Sequence, residues 1–213
     1  MGLFSIDSPF MDALRRLSDI IICNIFFCVL CLPVFTIGAA LAGLYEAMMI
    51  LITEKDDGLL FWDFLKAFKK HFKRGTLTWM ICLVVLAFLR LYYKVIKTLD
   101  GSMQRTYMIT FMAIVFLLAF LAQYLFPMLV YRKDRVSTTF KNALSLSVIQ
   151  FPYTLLSVLL LIAAIGLSYM IYLQFSYTVL FIWGIAGFGI ICYFNGMIFN
   201  QAVKKAGIES DAN

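Results

Sequence analysis

The chain has 213 residues, of which 63% are hydrophobic and 14% are charged, and its formal net charge is +6. An ordinary soluble domain is roughly half apolar and about 25% charged, so this composition excludes that class and predicts a multi-pass membrane protein. No linker rich in Pro, Gly or Ser divides the sequence, and we expect one membrane-embedded helical domain over residues 1–213. The cations do not form a separate soluble domain, which indicates anionic lipid headgroups rather than nucleic acid as their partner.

Two apolar runs near the N-terminus are separated by a predicted helix break. The residues at this break are Pro33, Thr36 and Gly38. Residues 17–52 as one straight helix would be about 54 Å long, whereas a hydrocarbon core is ~30 Å thick. Pro33 removes a backbone hydrogen bond and Thr36 can cap the helix that follows, which favours a turn and two crossings. One kinked helix that crosses once is the alternative. A short amphipathic helix that begins at Ser8-Pro9 precedes the first run.

The next predicted element is an amphipathic helix over residues 59–74, with aromatic rings on one face and cations mainly on the other. The residues that we expect at a membrane interface are Phe61, Trp62, Phe64, Lys66, Phe68, Lys69, Lys70, Phe72, Lys73 and Arg74. Such a helix lies in the interface plane, with its rings at the acyl boundary and its ammonium groups at lipid phosphates. The alternative is a solvated helix that packs on the protein's own membrane helices.

The rest of the chain predicts four more crossings. They cover residues 76–93, residues 106–131 and the two halves of the uncharged run 142–203. Loops are expected at residues 94–105, at the basic residues 132–141 and at the turn 173–178. The positive-inside rule favours six crossings, with the C-terminus, the N-terminus and the basic loops in the cytoplasm, over five crossings with the N-terminus outside. The predicted fold is therefore an all-α integral membrane bundle with six, alternatively five, crossings and a basic interfacial helix.

Polar side chains inside the apolar runs are candidates for an intramembrane site. They are Glu46, Asn24, Gln123, Asn195 and Asn200. A carboxylate at a helix centre costs about 2.5–3.5 kcal/mol on insertion scales, so Glu46 indicates a functional site, a side chain that reaches Lys55, or a protonated acid. The amides ordinarily form interhelical hydrogen bonds, and a polar substrate path is the alternative. Small residues between Gly38 and Gly43 predict a close helix contact.

Signs of catalysis and of metal binding are weak. Cys28 and Cys31 form one CxxC pair, but the single histidine, His71, is distant, and a zinc site needs more ligands than this pair provides. The five cysteines fall in apolar runs and are expected to be small buried hydrophobes. The sequence has no P-loop, no pair of mid-membrane aspartates and no histidine placed to activate an intramembrane serine. We therefore expect no catalytic residues, metal or cofactor, and a protein that is not an enzyme.

Four segments resemble signatures of the YesL-like family of bacterial multi-pass membrane proteins. They are LPVFTIGAA at residues 32–40 with Tyr45 soon after, the aromatic and lysine pattern of residues 61–73, Phe126-Pro127, and FKNAL at residues 140–144. The resemblance covers nearly the whole chain. It implies a protein without an established activity, linked to carbohydrate ABC importers because genes of the family tend to lie in such operons. It implies no catalytic or ligand-binding residues.

The expected function combines the basic surfaces with this resemblance. We expect a non-enzymatic cell-membrane accessory protein, linked to carbohydrate ABC import or its regulation. Its basic helix and the loop at residues 132–141 would contact an importer subunit, a sensor kinase or anionic lipid. A small-solute transporter or channel acting on its own, with Glu46 and the amide side chains in its path, is the alternative.

Overall fold

The computed structural model of the protein describes residues 9–53, 60–174 and 177–208. Within these ranges every regular element is helical, which confirms the all-α class. The helices are α1 (Pro9–Leu30), α2 (Ile37–Ile52), α3 (Leu60–Ile96), α4 (Gly101–Tyr131), α5 (Val136–Ile149), α6 (Phe151–Gln174) and α7 (Thr178–Ala206). A 3₁₀ turn, Val34–Thr36, leads into α2, and a π-helical turn, Trp183–Gly187, interrupts α7.

Five segments of the described chain are long and apolar enough to cross a membrane. They are Val34–Ile52, Leu60–Ile96, Gly101–Tyr131, Phe151–Leu173 and Thr178–Ala206. The first helix, α1, is not among them, and its N-terminal half carries Arg15, Arg16 and Asp19. The helices have the lengths and the hydropathy of a multi-pass membrane protein.

The helix break predicted near Pro33 is present, but its details differ from the prediction. The hydroxyl of Thr36 lies 2.5 Å from the carbonyl oxygen of Leu30 and 2.6 Å from that of Pro33, and these two oxygens share its single proton. Thr36 therefore contacts the C-terminal end of α1 and the break that follows it, and its side chain makes no capping bond to α2. Gly38 lies inside α2, where it contacts another helix, and is not part of the break. Ser8, the expected N-cap of α1, lies outside the described residues.

The closest helix contact in the bundle joins α2 and α3. Gly38 lies against Gly75, and Gly43 lies against Phe68, so the two helices run antiparallel. A Cβ added to Gly75 would lie 2.8 Å from the Cα of Ala39, so any side chain there would force backbone atoms to shift. Small residues allow backbones to approach in this way, so the predicted close contact of α2 is confirmed.

The basic stretch is not a separate helix. It forms the first part of α3, which continues without interruption for 37 residues from Leu60 to Ile96. The boundary expected between residues 74 and 76 is absent because the stretch contains no proline, and Gly75 serves the contact with α2 instead of ending the helix. The loop after α3 is also shorter than expected. Gly101, at a φ of 66°, adopts the left-handed conformation there and begins α4.

Helix α5 was not predicted from the sequence. The basic loop expected at residues 132–141 has only four residues before α5 begins at Val136. A break at Gln150 separates α5 from α6, where Pro152 lacks a backbone donor. The hydroxyl of Thr154 lies 2.8 Å from the carbonyl oxygen of Ser147 and bridges this break. The end of α6 at Gln174 and the start of α7 at Thr178 agree with the predicted turn.

Candidate functional site

Glu46 of α2 contacts two neighbouring residues of α3, Lys70 through an ion pair and His71 through a hydrogen bond. Its Oε1 lies 2.7 Å from Nζ of Lys70, and its Oε2 lies 2.5 Å from Nε2 of His71. The side chain of Lys70 is 45% exposed, whereas that of His71 is only 2% exposed. The acid in the apolar run is therefore balanced by the basic part of α3. Lys55, the partner considered from the sequence, lies outside the described residues.

The amide of Asn195 connects four helices inside the bundle. Its Nδ2 donates to the hydroxyl of Tyr45 at 2.8 Å and to Oε1 of Gln123 at 3.1 Å. Its Oδ1 accepts a hydrogen bond from the hydroxyl of Ser157 at 2.5 Å. Asn195 and Ser157 are buried, so this cluster joins α2, α4, α6 and α7 through groups that protein partners satisfy.

Asn24 of α1 binds the backbone of the π-helical turn in α7. Its Nδ2 donates to the carbonyl oxygens of Trp183 at 3.0 Å and Gly184 at 2.8 Å, and its Oδ1 accepts from the backbone N–H of Gly189 at 2.8 Å. A π turn shifts the backbone hydrogen bonds of a helix, and the amide satisfies groups at this irregular segment. Asn24 is fully buried, so it fixes α1 against α7.

The structure therefore divides the polar site expected from the sequence into three separate clusters. Glu46 faces α3, Asn195 and Gln123 meet inside the bundle, and Asn24 joins α1 to α7. Asn200 is half-buried on α7 and belongs to none of them. Their partners, Lys70, His71, Tyr45, Ser157 and the π turn, were missed because only the packing of the helices reveals them.

Three basic segments lie at one end of the bundle. Nη2 of Arg74 in α3 donates to the carbonyl oxygen of Arg132 after α4 at 3.0 Å. The hydroxyl of Tyr131 donates to the carbonyl oxygen of Ile208 after α7 at 3.2 Å. We call this end the basic pole. Its cations are Lys66, Lys69, Lys70, Lys73, Arg74, Arg132, Lys133, Arg135, Lys141, Lys204 and Lys205.

The aromatic residues of the basic stretch are divided between the core and the surface. Phe64 is fully buried, and the ring of Phe61 lies 4.3 Å from that of Phe26 in α1. Trp62 and Phe72 are 55% and 38% exposed. The alternative of packing on the protein's own helices therefore describes Phe64 and Phe61. Lipid contact remains a proposal for the exposed rings and for Lys66, Lys69, Lys70 and Lys73, which are all exposed.

Residues 20–93 match the family described as "Protein of unknown function, DUF624". Over these residues the chain is similar to an uncharacterised family. The matched region includes α2 and nearly all of α3, and therefore the contacts of Glu46 with Lys70 and His71. No curated protein and no solved structure matches the chain. The family description names no activity, substrate or partner.

Proposed function

We propose that the chain is a non-enzymatic integral membrane accessory protein whose basic pole docks a partner at the cytoplasmic face of the membrane. The observation that supports this best is the hydrogen bond from Arg74 to the carbonyl oxygen of Arg132, which holds the basic part of α3 next to the second basic segment. Two cationic segments far apart in the sequence thus lie side by side. Cationic segments flanking membrane helices favour the cytoplasmic side.

The polar groups of the bundle favour an accessory role over transport. A transporter needs polar groups near the midplane that are available to its substrate. Asn195 uses both ends of its amide on Tyr45, Gln123 and Ser157, and Asn24 uses both ends of its amide on the backbone of α7. These side chains hold helices together. Docking, in contrast, requires an exposed charged surface, which the lysines of α3 provide.

The link to carbohydrate import rests on the resemblance of this chain to the YesL-like proteins. It identifies the membrane subunits of a carbohydrate ABC importer as the partner to test first, and a sensor kinase as the next. A complementary acidic surface on such a partner would meet the basic pole, because opposite charges speed association and orient the two surfaces.

The test is co-purification of importer subunits with the full chain after mild detergent extraction. Replacing Lys69 and Lys73 by Glu should reduce recovery of the importer several-fold, because both side chains are exposed on the basic pole. The matched control replaces Lys94 and Arg105 by Glu, which are exposed near the other ends of α3 and α4. Equal losses in both double variants would contradict docking through the basic pole.

A second experiment separates this role from transport. Purified wild-type chain in liposomes should move no labelled sugar. A sugar flux that disappears in Glu46→Ala would contradict the accessory function and support a transporter. Absence of both flux and importer subunits would contradict the link to import.

A further inference from the structure

An apolar cleft of about 210 Å³ opens between the membrane-spanning parts of α3 and α4. Its walls include Trp79, Cys82, Leu86 and Leu89 of α3 and Leu121 and Leu125 of α4. Among the residues that the structure describes, no charged side chain lines it, and the indole N–H of Trp79 is already bonded to the carbonyl oxygen of Val34 at 2.9 Å. The lining therefore suits an apolar occupant, because a polar one would lose its hydrogen bonds there.

The length of the cleft corresponds to one leaflet of a bilayer. The ten-residue rise from Trp79 to Leu89 along α3 spans about 15 Å, which is half of a ~30 Å hydrocarbon core. Phe140 of α5 also lines the cleft, and α5 follows closely after Arg132 of the basic pole. If the basic pole lies at the membrane surface, a cleft of this length reaches from there to about the midplane, as an acyl chain does.

A second depression adjoins the first at Phe140. Its walls are Ile81, Val136, Ser137, Phe140 and Lys141. Lys141 is exposed and has no ion-pair partner in the part of the chain that the structure describes. The nearest acid in the sequence, Asp134, is bound to Arg132 and Asn142. Within the described ranges of the chain, a cation without an ion-pair partner therefore lies beside the part of the apolar cleft that Phe140 lines.

We propose that the two depressions together bind one anionic glycerophospholipid. One acyl chain lies between α3 and α4, and the phosphate lies at the ammonium group of Lys141 and the hydroxyl of Ser137. The charge of Lys141 selects an anionic headgroup, and the apolar cleft selects a lipid over a soluble phosphate compound. Lys141 belongs to the basic pole, but the docking test uses Lys69 and Lys73, so the two proposals can fail separately.

Trp79 provides a direct reporter of the cleft. In a Trp62→Phe/Trp183→Phe background it is the single tryptophan of the chain. The full chain is reconstituted in phosphatidylcholine membranes that contain a minor fraction of anionic phospholipid brominated on its acyl chains. Fluorescence of Trp79 should be quenched several-fold more than with the same fraction of brominated phosphatidylcholine. Equal quenching by the two lipids would overturn the proposal.

Two variants test the two halves of the site. Lys141→Ala should remove the excess quenching by the anionic lipid, whereas Lys94→Ala, at the other end of α3, should retain it. Ala122→Phe should fill the cleft and lower the excess several-fold, whereas Ala163→Phe on the exposed surface of α6 should not. Lys141 is a surface residue, so its replacement tests the site even if Ala122→Phe does not fold. Excess quenching that persists in Lys141→Ala would overturn the proposal. Weak quenching by both lipids would also overturn it, and is the result expected if another protein or a second copy of the chain covers the cleft.

Discussion

Two asparagines of α7 differ in the groups that surround their side chains. Asn195 and Asn200 lie on the same helix and have the same side chain, but their surroundings differ. Asn195 is buried and bonded to Tyr45, Gln123 and Ser157, whereas Asn200 is half-buried and belongs to no cluster. The energetic role of an intramembrane amide is therefore set by its partners and not by its residue type.

Replacing Asn195 by Ala should lower the free energy of unfolding by about 1–2 kcal/mol, because interhelical hydrogen bonds average about 0.6 kcal/mol each and three side-chain partners are lost. Replacing Asn200 by Ala is the matched control and should change it by less than about 0.5 kcal/mol. Unfolding of the purified variants in mixed detergent micelles measures both values. Equal destabilisation of the two variants would contradict the structural role of the Asn195 cluster.

The polar residues of the apolar runs were identified from the sequence, but the residues that contact them were not. Glu46 lies 24 residues before Lys70 and 25 residues before His71 in the sequence. The periodicity of a helix relates residues three or four positions apart, so it cannot connect positions this distant. The antiparallel contact of α2 with α3 brings them together. The residue types were informative because a polar group in an apolar run needs a partner, but the partner is a property of the tertiary packing.

At the scale of the helices, close packing decides which glycines matter. Gly75 of α3 lies against the backbone of Ala39, whereas a Cβ on Gly166 of α6 would have nothing within 4 Å. The small residues of α2 predicted this contact from the sequence. The ends of the helices were harder to predict. Hydrophobic periodicity continues through Gly75, so it does not show whether α3 ends there. The start of α5 was missed because this helix contains both polar and apolar residues.

Replacing Gly75 by Ala should destabilise the protein by roughly 1–3 kcal/mol, since the new Cβ would lie 2.8 Å from the Cα of Ala39 and backbone atoms must shift to accommodate it. Replacing Gly166 by Ala should be neutral or stabilise α6 by up to about 1 kcal/mol, because Ala favours a helix. Thermal unfolding of the two variants in the same detergent compares them. A neutral Gly75→Ala would show that α2 and α3 are not in this contact.

At the scale of the whole molecule, the unsettled prediction is the number of crossings. Composition and charge predicted the membrane bundle and its basic loops, but residues 17–52 allowed one crossing or two. Contacts of α1 with α7 now bear on this choice. Ile20 lies beside Gly189, and the thiol of Cys28 lies 3.7 Å from the carbonyl oxygen of Gly184. A later residue of α1 therefore contacts an earlier residue of α7. The two helices therefore run antiparallel, and α7 ends at the basic pole.

A tag placed ahead of Ser8 should thus be found in the cytoplasm, on the same side as a tag after residue 213. If α7 ends inside, an antiparallel α1 begins inside, and Arg15 and Arg16 near its start satisfy the positive-inside rule. Reporter fusions after Asp100 and Lys133 should read outside and inside, because α3 and α4 each cross once between Arg74 and Arg132. Protease protection in right-side-out and inverted vesicles shows on which side of the membrane each tag lies. The C-terminal tag is the internal control. An N-terminal tag on the outside would show that α1 does not cross and that the bundle has five crossings.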